Sequence, residues 1–157
     1  MEISTREDIA VPADYVFECL SDFQSFEKAA LRRGAEVERV DGDGPLGPGA
    51  KWRVNFSFRG KLREISVELV DYEPTEKACY RAVGQGMEAL MQIELLPMSR
   101  TRTRMATTVG MEAKTLSARL LLQSLKLAKG QIGRRFEGMM ADYARQLEKR
   151  HSKMGAH

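Results

Sequence analysis

The order of apolar and polar positions changes period several times along this chain, and those changes divide it into elements. Ile3, Ile9 and Val11 stand at odd positions among polar residues, the period-two pattern of a strand, and Pro12 ends it. Ala13 to Leu20 places Val16, Phe17 and Leu20 on one helical face. Ser21-Asp22 then supplies a stop and an oxygen-bearing N-cap for a second helix, Phe23 to about Arg33, which presents Phe23, Phe26, Ala30 and Leu31 and is closed by Gly34. From Ala35 the period returns to two. Val37 and Val40 mark a strand, followed by the turn-rich run Gly42 to Gly49. The clearest alternation comes next, with Trp52, Val54, Phe56 and Phe58 on one side and Arg53, Asn55, Ser57 and Arg59 on the other. Gly60-Lys61 turns the chain into Leu62–Tyr72, where Ile65, Val67 and Leu69 alternate with Glu64, Ser66 and Glu68. Lys77–Val83, Met87–Leu96 and Arg100–Met111 read as three more strands.

The last stretch is helical. Leu120, Leu121, Leu125, Ala128, Ile132, Phe136, Met139, Tyr143 and Leu147 recur at spacings near the helical period, with Lys and Arg between them. Unbroken from Leu116 to Arg150, this helix would exceed about 50 Å at ~1.5 Å per residue, too long for one small domain. A break is therefore predicted near Gly130 or Gly133, where helix propensity is lowest.

The predicted order is strand, two short helices, six strands and a long helix. That is an α+β fold in which a curved antiparallel sheet of about seven strands wraps a long C-terminal helix. A sheet with one apolar face buries it against another layer. A bent sheet gripping one helix need not close at its mouth, so part of its interior can stay hollow. The candidate lining is Trp52, Val54, Phe56, Phe58 and Val67 from the first strands, and Met87, Met91 and Met105 from the later ones. Phe136, Met139 and Met140 join them from the long helix. Methionine is unbranched and polarizable, so methionine-rich walls adapt to apolar ligands of irregular shape. The competing reading is that these side chains simply fill the core.

Length fits this picture, since 157 residues is one domain of ordinary size. We assign 1–150 to one ligand-binding domain and 151–157 to a flexible C-terminal tail. The composition, 43% hydrophobic and 30% charged, is that of a soluble globular protein, and the charged N-terminus lacks an apolar signal core. A cytoplasmic protein is expected. Cys19 and Cys79 lack metal-site spacing and read as buried thiols, and no cofactor or metal is expected. Both histidines, His151 and His157, lie in the tail, which removes the commonest general base from any interior site and forbids a Ser-His-Asp or Cys-His set. Gly44 to Lys51 lacks the terminal Gly-Lys-Ser/Thr of a phosphate loop, while Glu64 and Glu68 should face water. Arg100, Arg102 and Arg104 suit a solvated strand face.

Net charge is only +3, too small to imply nucleic acid, but it is unevenly spread. Residues 1–50 carry five basic residues against eleven acidic, and residues 114–157 carry ten Lys/Arg against three acids. A basic C-terminal helix of this kind suits either packing near acidic elements of its own domain or contact with an acidic partner or membrane surface.

Several stretches resemble the START/Bet v 1-like helix-grip superfamily, in particular its polyketide cyclase/dehydrase-like and coenzyme Q-binding branches. They are Ile9-Ala10-Val11-Pro12-Ala13 with Val16-Phe17, Leu20-Ser21-Asp22-Phe23 with Phe26, Gly47-Pro48-Gly49-Ala50-Lys51-Trp52, and Val70-Asp71-Tyr72-Glu73-Pro74. Such families usually have a proline and tryptophan soon after the position of Phe26, where this chain has Glu27-Lys28-Ala29. The resemblance implies a binding cavity between sheet and long helix for a lipid-, polyketide- or quinone-like molecule. It carries no catalytic residue onto this chain. The alternatives are a cyclase or dehydratase helped by Tyr80, Arg81 or Arg102, and an interaction module docking through its basic helix.

Overall fold

The computed structural model describes residues 1–155. In chain order the elements are β1 (Glu2–Ile9), α1 (Ala13–Leu20), α2 (Phe23–Arg32), β2 (Glu36–Arg39), β3 (Lys51–Phe58), β4 (Lys61–Glu73), β5 (Lys77–Gly84), β6 (Met87–Ser99), β7 (Arg102–Ala113), α3 (Leu116–Leu127) and α4 (Lys129–Met154). All seven strands join one antiparallel sheet in the order β1-β7-β6-β5-β4-β3-β2. The expected helix-grip architecture is therefore present.

Register decides which side chains share the concave face, because residues directly opposite one another in adjacent strands point the same way. The pairs Ile9–Thr103, Met105–Leu95, Ile93–Ala78, Tyr80–Leu69 and Val67–Trp52 carry one apolar face across the sheet from edge to edge. An irregularity between Leu69 and Asp71 adds a residue to β4. Strict alternation from Leu69 would turn Tyr72 outward. The bulge turns it inward instead, pairing it with Ala78 and placing its hydroxyl 3.0 Å from Ser21 Oγ.

The helices cover this face unevenly. α2 packs against β2 at one edge of the sheet, α4 runs along β1 at the other, and α1 crosses β6 and β7. Asp22 caps α2 as expected, accepting a hydrogen bond from the backbone N–H of Ser25. Two cores result. One gathers Ile9, Val11, Val16, Phe17, Met105 and Leu147, while the other centres on Trp52, Leu69 and Ala78.

The long C-terminal helix breaks at Ala128, two residues before Gly130 and so near the expected place, with Gly130 and Gly133 both inside α4. Ala128 donates its N–H to Leu125, a tightened last turn, and leaves α3 lying on β7 while α4 lies on β1. The two helices thus pack on different strands on either side of the bend. The expected tail is also shorter than 151–157. α4 continues to Met154, with the His151 ring edge-on to Tyr15 at 4.8 Å, and residues 156 and 157 lie outside the described residues.

α3 is held to the sheet at its start. Thr115 caps it by accepting from the N–H of Ala118, and Lys114 donates its N–H to Gly86 at 2.7 Å. Gly86 has φ +76°, and a Cβ there would collide with the capping Thr115 side chain. Gly86→Ala should therefore lower the melting temperature, and hydrogen exchange should show the loss concentrated in the first turn of α3. Leu147→Ala, at a side chain with no exposed surface, should cost about 2–5 kcal/mol in chemical denaturation.

Candidate functional site

With α2 and α4 over opposite edges, the concave face between them stays partly uncovered. The space left is a cavity of about 360 Å³. Its floor is Met91 and Ile93 of β6 with Met105 and Thr107 of β7. One wall comes from Cys19 and Leu20 at the end of α1 and from Ser25, Phe26, Ala29 and Arg33 of α2. Met139, Met140, Asp142, Tyr143, Gln146 and Arg150 of α4 make the other. Met139, Tyr143, Gln146 and Arg150 follow one another at helical spacing, so a single stripe of α4 faces the hollow. The rings of Phe26 and Tyr143 approach across the opening with centroids 6.0 Å apart. Two larger surface depressions, near Glu137 and near Arg39, are lined mainly by polar and charged side chains and are open to solvent.

Of the eleven side chains expected to line a cavity, the structure brings four together here: Met91, Met105, Met139 and Met140. The aromatic half lies elsewhere. Trp52 is 3% exposed and plugs the interior, stacked on Phe23 at 4.6 Å with Tyr80 at 6.2 Å; Val67 packs against the same cluster. Val54 and Phe56 are half-buried farther along β3, and Phe58 at the hairpin tip is 40% exposed with the Arg59 guanidinium over its ring. The hairpin register explains the difference, since Lys61 and Arg63 stand opposite Phe58 and Phe56 and make that end charged. Met87 sits at the β5–β6 turn opposite Gly84, and half-buried Phe136 lies one turn before Met139.

Periodicity missed α2 as a wall. Its apolar positions Phe23 and Phe26 were legible, but which sheet edge α2 would cover was not. Thr107 and Tyr143 were visible only as members of apolar faces. The arginines of the enzyme alternative lie on the opposite face of the sheet. Arg81 pairs with Glu88 at 3.0 Å, and Arg102 is exposed beside Arg104, which pairs with Asp8 at 2.9 Å. Glu64 and Glu68 also point away from the hollow, with Glu64 paired to Arg53.

The walls carry polar groups as well as apolar ones: Ser25, Arg33, Asp142, Gln146 and Arg150 line the hollow beside two buried hydroxyls. Thr107 is 1% exposed and its hydroxyl has no hydrogen-bond partner among the described residues, and the Tyr143 hydroxyl is likewise buried without one there. Burial pushes the Tyr143 phenol well above its ordinary range, so it stays protonated and can donate. Burial also raises the Cys19 thiol, which is therefore a poor nucleophile. The one carboxylate on the wall, Asp142, is paired with Arg145. Among the described residues no three His, Cys, Asp or Glu side chains are placed to hold a metal ion, and no helix is long and apolar enough to cross a membrane.

A sheet concave around a C-terminal helix, with a hollow beneath, is accompanied by a match over residues 1–150 to the family described as polyketide cyclase / dehydrase and lipid transport. The chain belongs to that family. No curated protein matches it in sequence. Solved structures similar in fold include a protein of Thermus thermophilus, with 17% identity, a TM-score of 0.67 and coverage of 94% of this chain and 97% of the other. The Zhui aromatase/cyclase of a Streptomyces species is similar at 15% identity and TM-score 0.65, over 93% of this chain and 94% of its own. Norcoclaurine synthase of Thalictrum flavum, solved with dopamine and hydroxybenzaldehyde, is similar at 16% identity and TM-score 0.64, over 96% and 87%. At these identities the structures establish a shared fold.

An unpartnered buried hydroxyl costs about 1–3 kcal/mol. Thr107→Val, which keeps the shape and removes the hydroxyl, should leave the ligand-free family member as stable as before or more so. A loss of stability in denaturant titration would show that the hydroxyl already has a partner.

Proposed function

We propose that the protein binds or carries an apolar small molecule bearing at least one hydrogen-bonding group, held between α2, α4 and the floor of β6 and β7. The carrying observation is a 360 Å³ hollow walled by four methionines, into whose lining two hydroxyls are built without partners of their own. Ligand pockets commonly measure about 300–1,000 Å³. This one lies at the small end, which favours a compact aromatic or short acyl compound over a fully enclosed long chain. Methionine floors suit such ligands because the flexible thioether fits rings of differing outline. The protonated Tyr143 phenol supplies a donor, and the Thr107 hydroxyl supplies either a donor or an acceptor. Both oxygens are fully buried, so a ligand reaches them only where the lining shifts to uncover them, whereas Ser25, Arg33, Gln146 and Arg150 already stand on the walls as hydrogen-bonding groups.

Binding without turnover is the reading this wall supports. It has no histidine, its thiol is held protonated, and its carboxylate is committed to Arg145. Family membership is compatible with that role, since the family's description includes lipid transport alongside cyclases.

Native mass spectrometry of protein purified from its own host, followed by solvent extraction, should recover a bound apolar compound. Adding that compound at a hundred times its Kd should raise the melting temperature by roughly 5–10 °C, the equivalent of about 2.7 kcal/mol for a domain of this size. Tyr143→Phe should shrink the shift without lowering the melting temperature of the free protein. Repeated recovery of empty protein, with no shift across a panel of aromatic and acyl compounds, contradicts the proposal.

A further inference from the structure

One end of the molecule combines exposed large apolar side chains with unpaired cations. The β3–β4 hairpin tip reads Phe58-Arg59-Gly60-Lys61-Leu62, with Phe58 40% and Leu62 76% exposed. Arg63 ties this hairpin to the next turn by donating to Phe58 O and, at 3.1 Å, to Gln85 Oε1. That turn in turn holds the start of α3 through the bond from Lys114 N–H to Gly86 O. The hairpin tip, the β5–β6 turn and the beginning of α3 are therefore neighbours.

α3 itself is apolar on two opposite sides. Ala118 and Leu122 are buried against the domain, while Leu116 is 74%, Leu120 60% and Leu127 93% exposed. At ~100° per residue these three leucines fall within about 40° of one another, on the side away from the buried face. The outer leucine stripe, on the side opposite Ala118 and Leu122, lies open on the surface. Residues 115–136 contain Arg119, Lys126, Lys129, Arg134 and Arg135 and no acidic residue, and none of the five forms an ion pair among the described residues. The nearby acids are already engaged, Glu64 by Arg53, Glu88 by Arg81 and Glu112 by Lys114.

We propose that this end, the β3–β4 tip together with the outer face of α3, docks the protein on an anionic lipid bilayer. Exposed Leu and Phe enter the headgroup boundary while Lys and Arg meet the anionic headgroups, the combination that interfacial helices use. A second copy of this chain is disfavoured as the cover. A two-fold contact sets each patch against itself, bringing the same unpaired cations face to face. The proposal is independent of what the cavity holds.

Co-sedimentation with phosphatidylcholine vesicles, with and without phosphatidylserine, tests it. The full chain should bind the phosphatidylserine vesicles and should be released by raised salt, because exposed charges are screened over about 10 Å at 0.1 M. Arg59→Gln with Lys61→Gln should weaken binding about thirtyfold, each cation contributing roughly a factor of five near an anionic surface. Leu116→Ser with Leu120→Ser should weaken it at least tenfold. Since all four positions are exposed, the melting temperature should not fall, and the charge variant stands as the test should the leucine pair disturb α3. Absence of binding, equal binding to both vesicle types, or variants that bind as the parent does would overturn the proposal. So would sedimentation equilibrium showing a dimer that these substitutions dissociate, or an acidic protein recovered on this face in place of lipid.

Discussion

A single curved sheet presents more apolar surface on its concave side than three flanking helices can cover, and most of this structure follows from how that mismatch is resolved. α2 settles on the β2 edge and α4 on the β1 edge, so the strands between them must be covered by something else. Over β3 to β5 the answer is an aromatic plug in which Phe23 stacks on Trp52 and Tyr80 packs beside them. Over β6 and β7, α1 covers part of the strands with Val16 and Phe17 and leaves the rest open. The floor there is Met91, Ile93, Met105 and Thr107, and the space above it stays hollow. Fold and cavity are thus two consequences of one coverage problem.

Stability and binding then divide between the two halves. The plug and the Ile9–Leu147 cluster fix the positions of α2 and α4, and those positions fix the distance across the opening where Phe26 meets Tyr143. The hollow contributes little of its own and leaves the Thr107 and Tyr143 hydroxyls unpartnered.

Much of the fold was legible in the sequence because burial writes itself as periodicity. The alternation of Met87, Ala89, Met91, Ile93 and Leu95 gave the correct face of β6, and Thr103, Met105 and Thr107 that of β7. Asp22 and Gly34 marked the ends of α2 because capping chemistry is local. What failed was non-local. Trp52 sits on the expected face, yet only the arrival of Phe23 from α2 turns it from cavity lining into plug. Phe56 and Phe58 share that face too, but the hairpin register sets Arg63 and Lys61 opposite them. The bend near Gly130 was legible, but that α3 and α4 lie on different strands on either side of it was not. Pattern names the face of a strand; only topology says what covers it.

The central claim is that the hollow over β6 and β7 accepts a ligand, and methyl NMR of methionine-labelled protein reads it side chain by side chain. On titration with an apolar aromatic compound, the methyl signals of Met91, Met105, Met139 and Met140 should move together to saturation, while that of Met98, exposed and outside the cavity lining, stays in place. Uniform small shifts at all methionines, or movement confined to exposed ones, would mean that the compound only coats the surface and that the hollow is not a binding site.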